Sequence, residues 1–565
     1  TPIFGDEGTA IVNLTGSGVF GEFDPLLRTD GAILANQAGS VANFTIAGSE
    51  AQQNYVNWHI NADIDGDYAE TIIGNAGSAT LTIGSYGIVQ GNEVTDHPSG
   101  NFFLARQYVL GNEAGGSGVV NVEGSWSGIG TTYVGDGGFG QANFTGAGTG
   151  NFSGMIVGNG SRGEVYADND GVFNPDKINA FFGLEVGVGA GGDGEITLED
   201  GAGLTSGNIV LGKAGGQALV TVSGANSQLW GEMHTTGLPG GPSVLGDVFV
   251  GESGSGALVV ENGGRALVEG DFTIGRYALG QSGATARGIG SAFIGPDGTL
   301  DVDGVTTVGS GGTGGLILQG AATLGAVDVG LSSSSIGNLI INAGNGVTST
   351  AVRIGVAGSG TAVLDESSTW DASSVAVGVT STGTGLLSVK GGSEFDASAS
   401  LDLGLNAGSD GTLRVEGANS KARIVNDISL GNGGAGTLEV KSGGLVTATT
   451  LLAAEDAGST ASLLVQGTNS RITLGGNLVL GQAGTASATV ETGGLLSLNH
   501  LTLGEEAVAS GTLIVQDSGS TLSVTGALVV GDEGSGTLRL LDGQSITPTS
   551  VAVAQNLGSN GILEL

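Results

Sequence analysis
The chain has 565 residues with a formal charge of −38, from 54 acidic and 16 basic residues. That balance argues against nucleic acid and anionic membranes as partners, and favours solubility and divalent cations. There is no cysteine, which excludes a disulfide scaffold and thiol chemistry, and no apolar run of about 18 residues that would cross a membrane. Glycine makes up 113 residues and proline only 8, yet 39% of the chain is hydrophobic, too much for disorder. Glycine spaced through so apolar a chain marks turns.

Residues 1–115 are the least regular. Short alternating phrases appear at Ala10–Leu14, Ala42–Ile46 and Ala79–Ile83, separated by aromatic and polar sequence that includes Trp58, His59 and Tyr68. The stretch from Gly87 to Tyr108 breaks the pattern and carries Pro98, Phe102 and Phe103. This segment suits an N-terminal cap over an open core. The start at Thr1, without Met or a charged-then-apolar leader, fits removal of a signal peptide.

From residue 116 to 300 the phrases resume, at Val119–Val122, Ala142–Phe144, Glu164–Tyr166, Glu195–Leu198, Ala218–Val222 and Ala257–Val260. Inserts are expected at Asp168–Phe182, Gly231–Gly246 and Arg276–Ser291. Proline concentrates in this half, as expected for inserts and turns, because it removes a ladder donor.

From 301 to 565 the coils tighten, and from Gly404 onward they become strict. A Gly-Thr-Leu-x-Val phrase, with Ala at some first positions, starts at Gly411, Gly436, Ala461, Ala486, Gly511, Gly536 and Gly561. A second phrase ending in Gly or Ala precedes each, at Gly404, Gly431, Ala454, Gly481, Gly504, Gly531 and Ala554. The interval between the two phrases alternates, and so do the turns. Glu416-Gly-Ala-Asn-Ser420 is followed by Lys441-Ser-Gly-Gly-Leu445, then Gln466-Gly-Thr-Asn-Ser470, then Glu491-Thr-Gly-Gly-Leu495. The unit is a 50-residue double coil built on a 25-residue rung, a period that marks a solenoid.

Within each phrase Leu413 and Val415 point one way and Arg414 the other, the two-residue period of a strand with one buried face. Each coil holds about three short apolar segments separated by Gly, Asn, Ser or Asp turns, and none has helical spacing. Stacking predicts inward ladders through Leu413, Leu438 and Leu463, and through Val415, Val440 and Val465. The outward column places Arg414 beside Glu439 and Arg539 beside Glu564, opposite charges on adjacent rungs. The expected fold is all-β, a right-handed parallel β-solenoid (β-helix) of about 21 coils of roughly 25 residues, about 100 Å long at 4.8 Å per rung.

The phrase Gly431–Val440 followed by Ser442–Val446, with Gly-Ala-Asn-Ser turns at 417–420 and 224–227, resembles the passenger repeats of bacterial autotransporters and related exported surface β-helix proteins. The similarity covers most of the chain from about residue 118. It implies an exported right-handed β-helix, extracellular or on a bacterial cell surface, in a group that includes adhesins, biofilm components and inert stalks. No barrel of alternating, aromatic-girdled strands follows at the C-terminus, which departs from the autotransporter plan.

Site chemistry is sparse. Asp168, Asp170, Asn174 and Asp176 surround a glycine turn and are candidate oxygen ligands for Ca2+, against the reading of a plain acidic turn. Asp63, Asp65, Asp67 and Glu70 form a similar group. His59, His97, His234 and His500 lack metal-ligand spacing. An enzyme is not expected, because the clustered carboxylates and basic residues that β-helix polysaccharide enzymes need are not evident. The reading is an exported structural protein, a rigid shaft with a decorated N-terminal half. Its expected partners are itself, head to tail through Gly561, Ile562, Leu563, Glu564 and Leu565, or surface glycans and other cells. The alternatives are a monomeric adhesin or stalk with ligand-binding inserts, and a polysaccharide-active enzyme.

Overall fold
The computed structural model describes all residues except 1, 16–25, 30–31, 48–55, 61–69, 86, 92–106, 171–173, 233, 236–242, 245 and 285. Asp63, Asp65 and Asp67 lie outside the described residues. The chain is a parallel β-solenoid, divided into two compact units, Thr1–Asp303 and Gly304–Leu565.

In the C-terminal unit each regular coil has three strands, for example Ala435–Lys441, Leu445–Ala448 and Thr450–Ala453. We call these the leading, middle and closing strands. Leading strands from Thr313–Leu318 to Asn560–Glu564 pair in parallel, each with the next. The rung is 25 residues through the last part of the unit, where Gly411, Gly436, Ala461, Ala486, Gly511, Gly536 and Gly561 pair successively. Full coils are slightly fewer than the phrases. After Ser535–Leu540 no middle strand forms before Ser550–Val553.

Alternation sets the core. Leu413, Val415, Leu438 and Val440 are fully buried, and their neighbours face out. Each coil is too small to bury its own apolar face, and stacking both covers that face and pairs its backbone groups. The outward column holds the expected ion pairs, Arg414 to Glu439 at 2.6 Å and Arg539 to Glu564 at 2.6 Å. The Gly-or-Ala phrase has a backbone cause. Gly431 has φ 68°, and a Cβ there would sit 2.1 Å from the Thr460 carbonyl oxygen. Ala454 and Ala554 take the same left-handed conformation, with φ 55° and 53°, at a cost that glycine avoids.

The N-terminal unit keeps the register while the loops vary. Its leading strands run from Thr9–Thr15 to Ile289–Ile294. Small residues pair rung to rung through Ala42, Ala79, Gly118, Gly140 and Gly163 despite unequal spacing in sequence. In four coils the middle and closing strands fuse, as Ser125–Val134, Thr149–Asn159, Asn174–Val188 and Ala202–Lys213. Bulges or shifts in the ladder at Gly128/Thr131, Phe152/Met155 and Ala180/Gly183 bend these strands round the corner. The expected insert at Asp168–Phe182 is therefore corrected: from Asn174 onward it is ladder strand. In the expected Gly231–Gly246 insert, Gly231 still belongs to the ladder, while His234–Thr235 and Ser243–Val244 pair antiparallel in a separate two-stranded sheet. Trp126 is fully buried and packs on Tyr108, Phe144 and Phe152 at centroid distances of 5.2, 6.1 and 4.9 Å.

Candidate functional site
Two places concentrate chemistry, one in each unit. In the N-terminal unit it is the acidic turn after the leading strand Arg162–Asp168. Asp170 is left-handed at φ 50°, and its N–H donates to Asp168 Oδ1 at 2.8 Å. Asn174 opens the next strand, its N–H bonded to the Gly201 carbonyl at 3.0 Å. The structure adds a residue that the spacing of carboxylates does not reveal. Lys177 is fully buried. Its ammonium donates to the Gly146 carbonyl at 2.7 Å and to Asn169 Oδ1 at 3.0 Å. Burial pushes this amine down to about 8, while the Asp168 and Asp170 charges pull it back up. An internal cation thus already stands beside two of the four expected calcium ligands. Among the described residues no group of three or more His, Asp or Glu side chains is arranged to hold one metal ion.

Glu70, the described member of the other acidic group, begins the closing strand Glu70–Ile73. Its carboxyl is raised by burial and by the charge of Asp136. Asp136 is itself raised by burial and accepts a hydrogen bond from Asn159. In the same column as Asp136, Asp6 accepts from Asn36, Asn36 from Asn75, and Asn75 from Asn112, at 2.7, 3.0 and 2.8 Å. These amides tie coil to coil.

In the C-terminal unit, a groove of about 490 Å3 crosses the outer face of the middle strands. It is lined by Asp371, Asp396 and Arg423 on three successive rungs, with Ser349, Ser373 and Ser398 beside them. Arg423 pairs with Glu394 and reaches Asp396 Oδ2 at 3.3 Å, and Lys421 lies 3.6 Å from Glu394. Burial and, after it, the neighbouring Asp371 charge raise the Asp396 carboxyl, against the pull of Lys421. Asp396 Oδ1 is buried without a hydrogen-bond partner. A cluster of acids and bases on one face therefore exists, contrary to the expectation from sequence. Two carboxylates one rung apart, about 4.8 Å, with one held more basic, can exchange protons with a bound hydroxylated ligand. The signal that could have found them is the strand register, since the residues share no linear motif.

His500 begins the closing strand His500–Leu503, and its Nδ1 accepts from the Ala527 N–H at 2.9 Å. Gly561, Ile562, Leu563 and Glu564 continue the leading-strand ladder onto Ser535–Leu540.

Fold and sites define a β-solenoid repeat protein whose chemistry lies in rung-to-rung columns. No protein-family model matches the chain, and no curated protein is significantly similar to it.

Proposed function
We propose that this chain is an extracellular or cell-surface structural protein, a rigid β-solenoid shaft that associates with itself head to tail. The observation that carries this reading is the use made of polar side chains. They bridge coil to coil. Asp328 holds Arg353 through two bonds of 2.6 and 2.7 Å. Ser420, Ser470 and Ser520 each accept a backbone N–H from the preceding coil, at 3.0, 2.9 and 3.1 Å. Glu491 takes Gln466 on one side and Gln516 on the other. Such columns stiffen a stack and leave few groups for turnover chemistry. A coil edge in this register is also a template for another coil of the same register. Calcium at the Asp168 turn is a subordinate part of the proposal, and it predicts a change in melting on chelation.

Electron microscopy of the purified chain tests the main reading. Rods that lengthen with concentration support a filament. Isolated rods at every concentration remove self-association and leave a stalk, and compact particles overturn the shaft. Labelling of intact cells with antibody tests surface exposure. The carboxylate pair favours one second reading, a polysaccharide-active enzyme, and glycan cleavage abolished by Asp396→Asn would establish it in place of the first.

A further inference from the structure
The 50-residue double coil has a structural product that the shaft itself does not require. On the C-terminal unit, a second groove of about 560 Å3 runs along the turns that precede the middle strands. That volume is within the roughly 300–1,000 Å3 of ligand clefts. Turns of two kinds alternate along it. Asn419 and Asn469 project from left-handed turns, with φ 66° and 68°. Between and beyond them come Gly443 and Gly493, where a Cβ would lie 3.4 Å from Ala418 Cα and 3.3 Å from Thr468 Oγ1, so the floor is recessed at every second coil.

The first residues of the middle strands alternate in step. Lys421, Leu445, Arg471 and Leu495 pair successively in one column: cation, apolar, cation, apolar. All four line the groove, and among the described residues its lining contains no carboxylate. That is unusual in a chain of charge −38. The C-terminal unit has eight Lys and Arg residues, and seven form ion pairs. Arg471 forms none among the described residues, and it faces this groove. An exposed guanidinium with no carboxylate partner, in a protein with carboxylates in excess, is suited to pair with an anionic ligand.

The spacing specifies the anion. Lys421 and Arg471 are two rungs apart, about 9.6 Å at 4.8 Å per rung. That is the length of one disaccharide in an extended glycan chain. We infer that the groove binds an extended acidic polysaccharide with one carboxylate per disaccharide. One uronate carboxylate meets Arg471, and the next meets Lys421, whose ammonium it shares with Glu394 at 3.6 Å. The apolar faces of the intervening sugars lie on Leu445 and Leu495, and the Asn419, Asn469 and Thr468 side chains take ring hydroxyls. The inference deepens the structural reading, because a shaft that holds glycan along its flank is a matrix component. It does not depend on self-association.

The test is titration of the full chain with an octasaccharide of alternating glucuronate and N-acetylglucosamine. An oligogalacturonate of equal length, a neutral cello-oligosaccharide and a short DNA duplex serve as comparisons. The alternating octasaccharide is expected to bind at least tenfold more tightly than any of the three, with affinity falling as salt rises. Arg471→Gln and Lys421→Gln are each expected to weaken it about tenfold with unchanged melting. Leu495→Ser is expected to weaken it without altering the salt dependence. Equal binding of oligogalacturonate overturns the two-rung match, and equal binding of DNA or neutral glycan overturns the ligand class. Absence of binding, or binding indifferent to Arg471→Gln, overturns the site. Rods that persist by microscopy in those cases leave the structural reading standing.

Discussion

Lys177→Met is the sharpest test of how the N-terminal unit is held. The ammonium is fully buried, with the Gly146 carbonyl and Asn169 Oδ1 as its acceptors. Its titration is lowered from an ordinary value of 10.5 to about 8. A lysine lowered on folding binds fewer protons in the folded than in the unfolded state between those two values. Stability therefore rises with pH across that window, by about 3 kcal/mol in all. Below pH 8 the folded protein carries the whole cost of the buried charge. Methionine keeps the length of the side chain and removes both the charge and its two bonds. At pH 7 the loss of two bonds, about 1–3 kcal/mol each where acceptors stay buried, is offset by release of the charge-burial cost. At pH 10 there is no charge left to release, so the variant shows its full deficit. Urea unfolding of both proteins at intervals from pH 7 to 10.5 measures the difference, and groups that titrate in both cancel. The wild-type advantage should grow by roughly 2–3 kcal/mol over that range. A constant difference, or one that shrinks as pH rises, would refute the assignment of Lys177 as a buried ammonium.

Two other perturbations probe the C-terminal unit. Glu455 accepts a hydrogen bond from Ser429, yet burial, with Asp402, Asp456 and Asp427 nearby, holds its carboxyl above the usual range. A raised carboxyl takes up protons on folding, so it adds stability as pH falls and withdraws it as pH rises. Glu455→Gln should therefore raise Tm at pH 7 by roughly 1–3 °C, an advantage that fades toward pH 4; a lower Tm at pH 7 would contradict the burial cause. Asp328 is 3% exposed, whereas Arg353 is half exposed and bonds it through both oxygens. Arg353→Ala strands a buried carboxylate and should cost about 3 kcal/mol, while Asp328→Ala leaves a guanidinium that water can reach and should cost about 1 kcal/mol less. Chemical denaturation ranks the two, and the reverse order would show that Asp328 is solvated.

The residues that declared themselves in the sequence are those whose period equals the rung. Gly411 to Gly561 repeat at 25, and the ladder pairs them at that interval. The Arg414–Glu439 and Arg539–Glu564 contacts follow from the same count. The left-handed turn at Gly431 was legible because few other residue types tolerate that backbone. The middle strands follow a different count. Glu394 pairs with Lys421, Lys421 with Leu445, and Leu445 with Arg471, so the interval changes from coil to coil. Asp371 and Asp396 keep the 25-residue interval, but Arg423 stands 27 residues after Asp396, so a search at a fixed period passes over the base that the ladder sets beside them. Lys177 was hidden for another reason. Its segment reads as an insert, and only a strand bulged between Asn174 and Ile178 carries the lysine inward.

The variable interval separates what the repeat conserves from what it leaves free. Backbone pairing and the inward ladders fix the leading strand, because a one-residue slip there would turn every buried side chain to solvent. In the N-terminal unit that strand keeps its register while the chain between rungs lengthens and shortens, as between Ala42, Ala79, Gly118 and Gly140. In the C-terminal unit the same freedom is used on a smaller scale. The alternating turns move the start of each middle strand by one residue, and so choose which side chain stands in the outer column. Lys421 and Arg471 follow Asn-Ser turns, and Leu445 and Leu495 follow Gly-Gly turns. A stack needing stiffness alone would be served by a single turn type. From Glu416 to Leu495 two turn types alternate and divide this part of the outer surface into steps of two rungs, a length set by the ladder and available to a partner whose own repeat matches it.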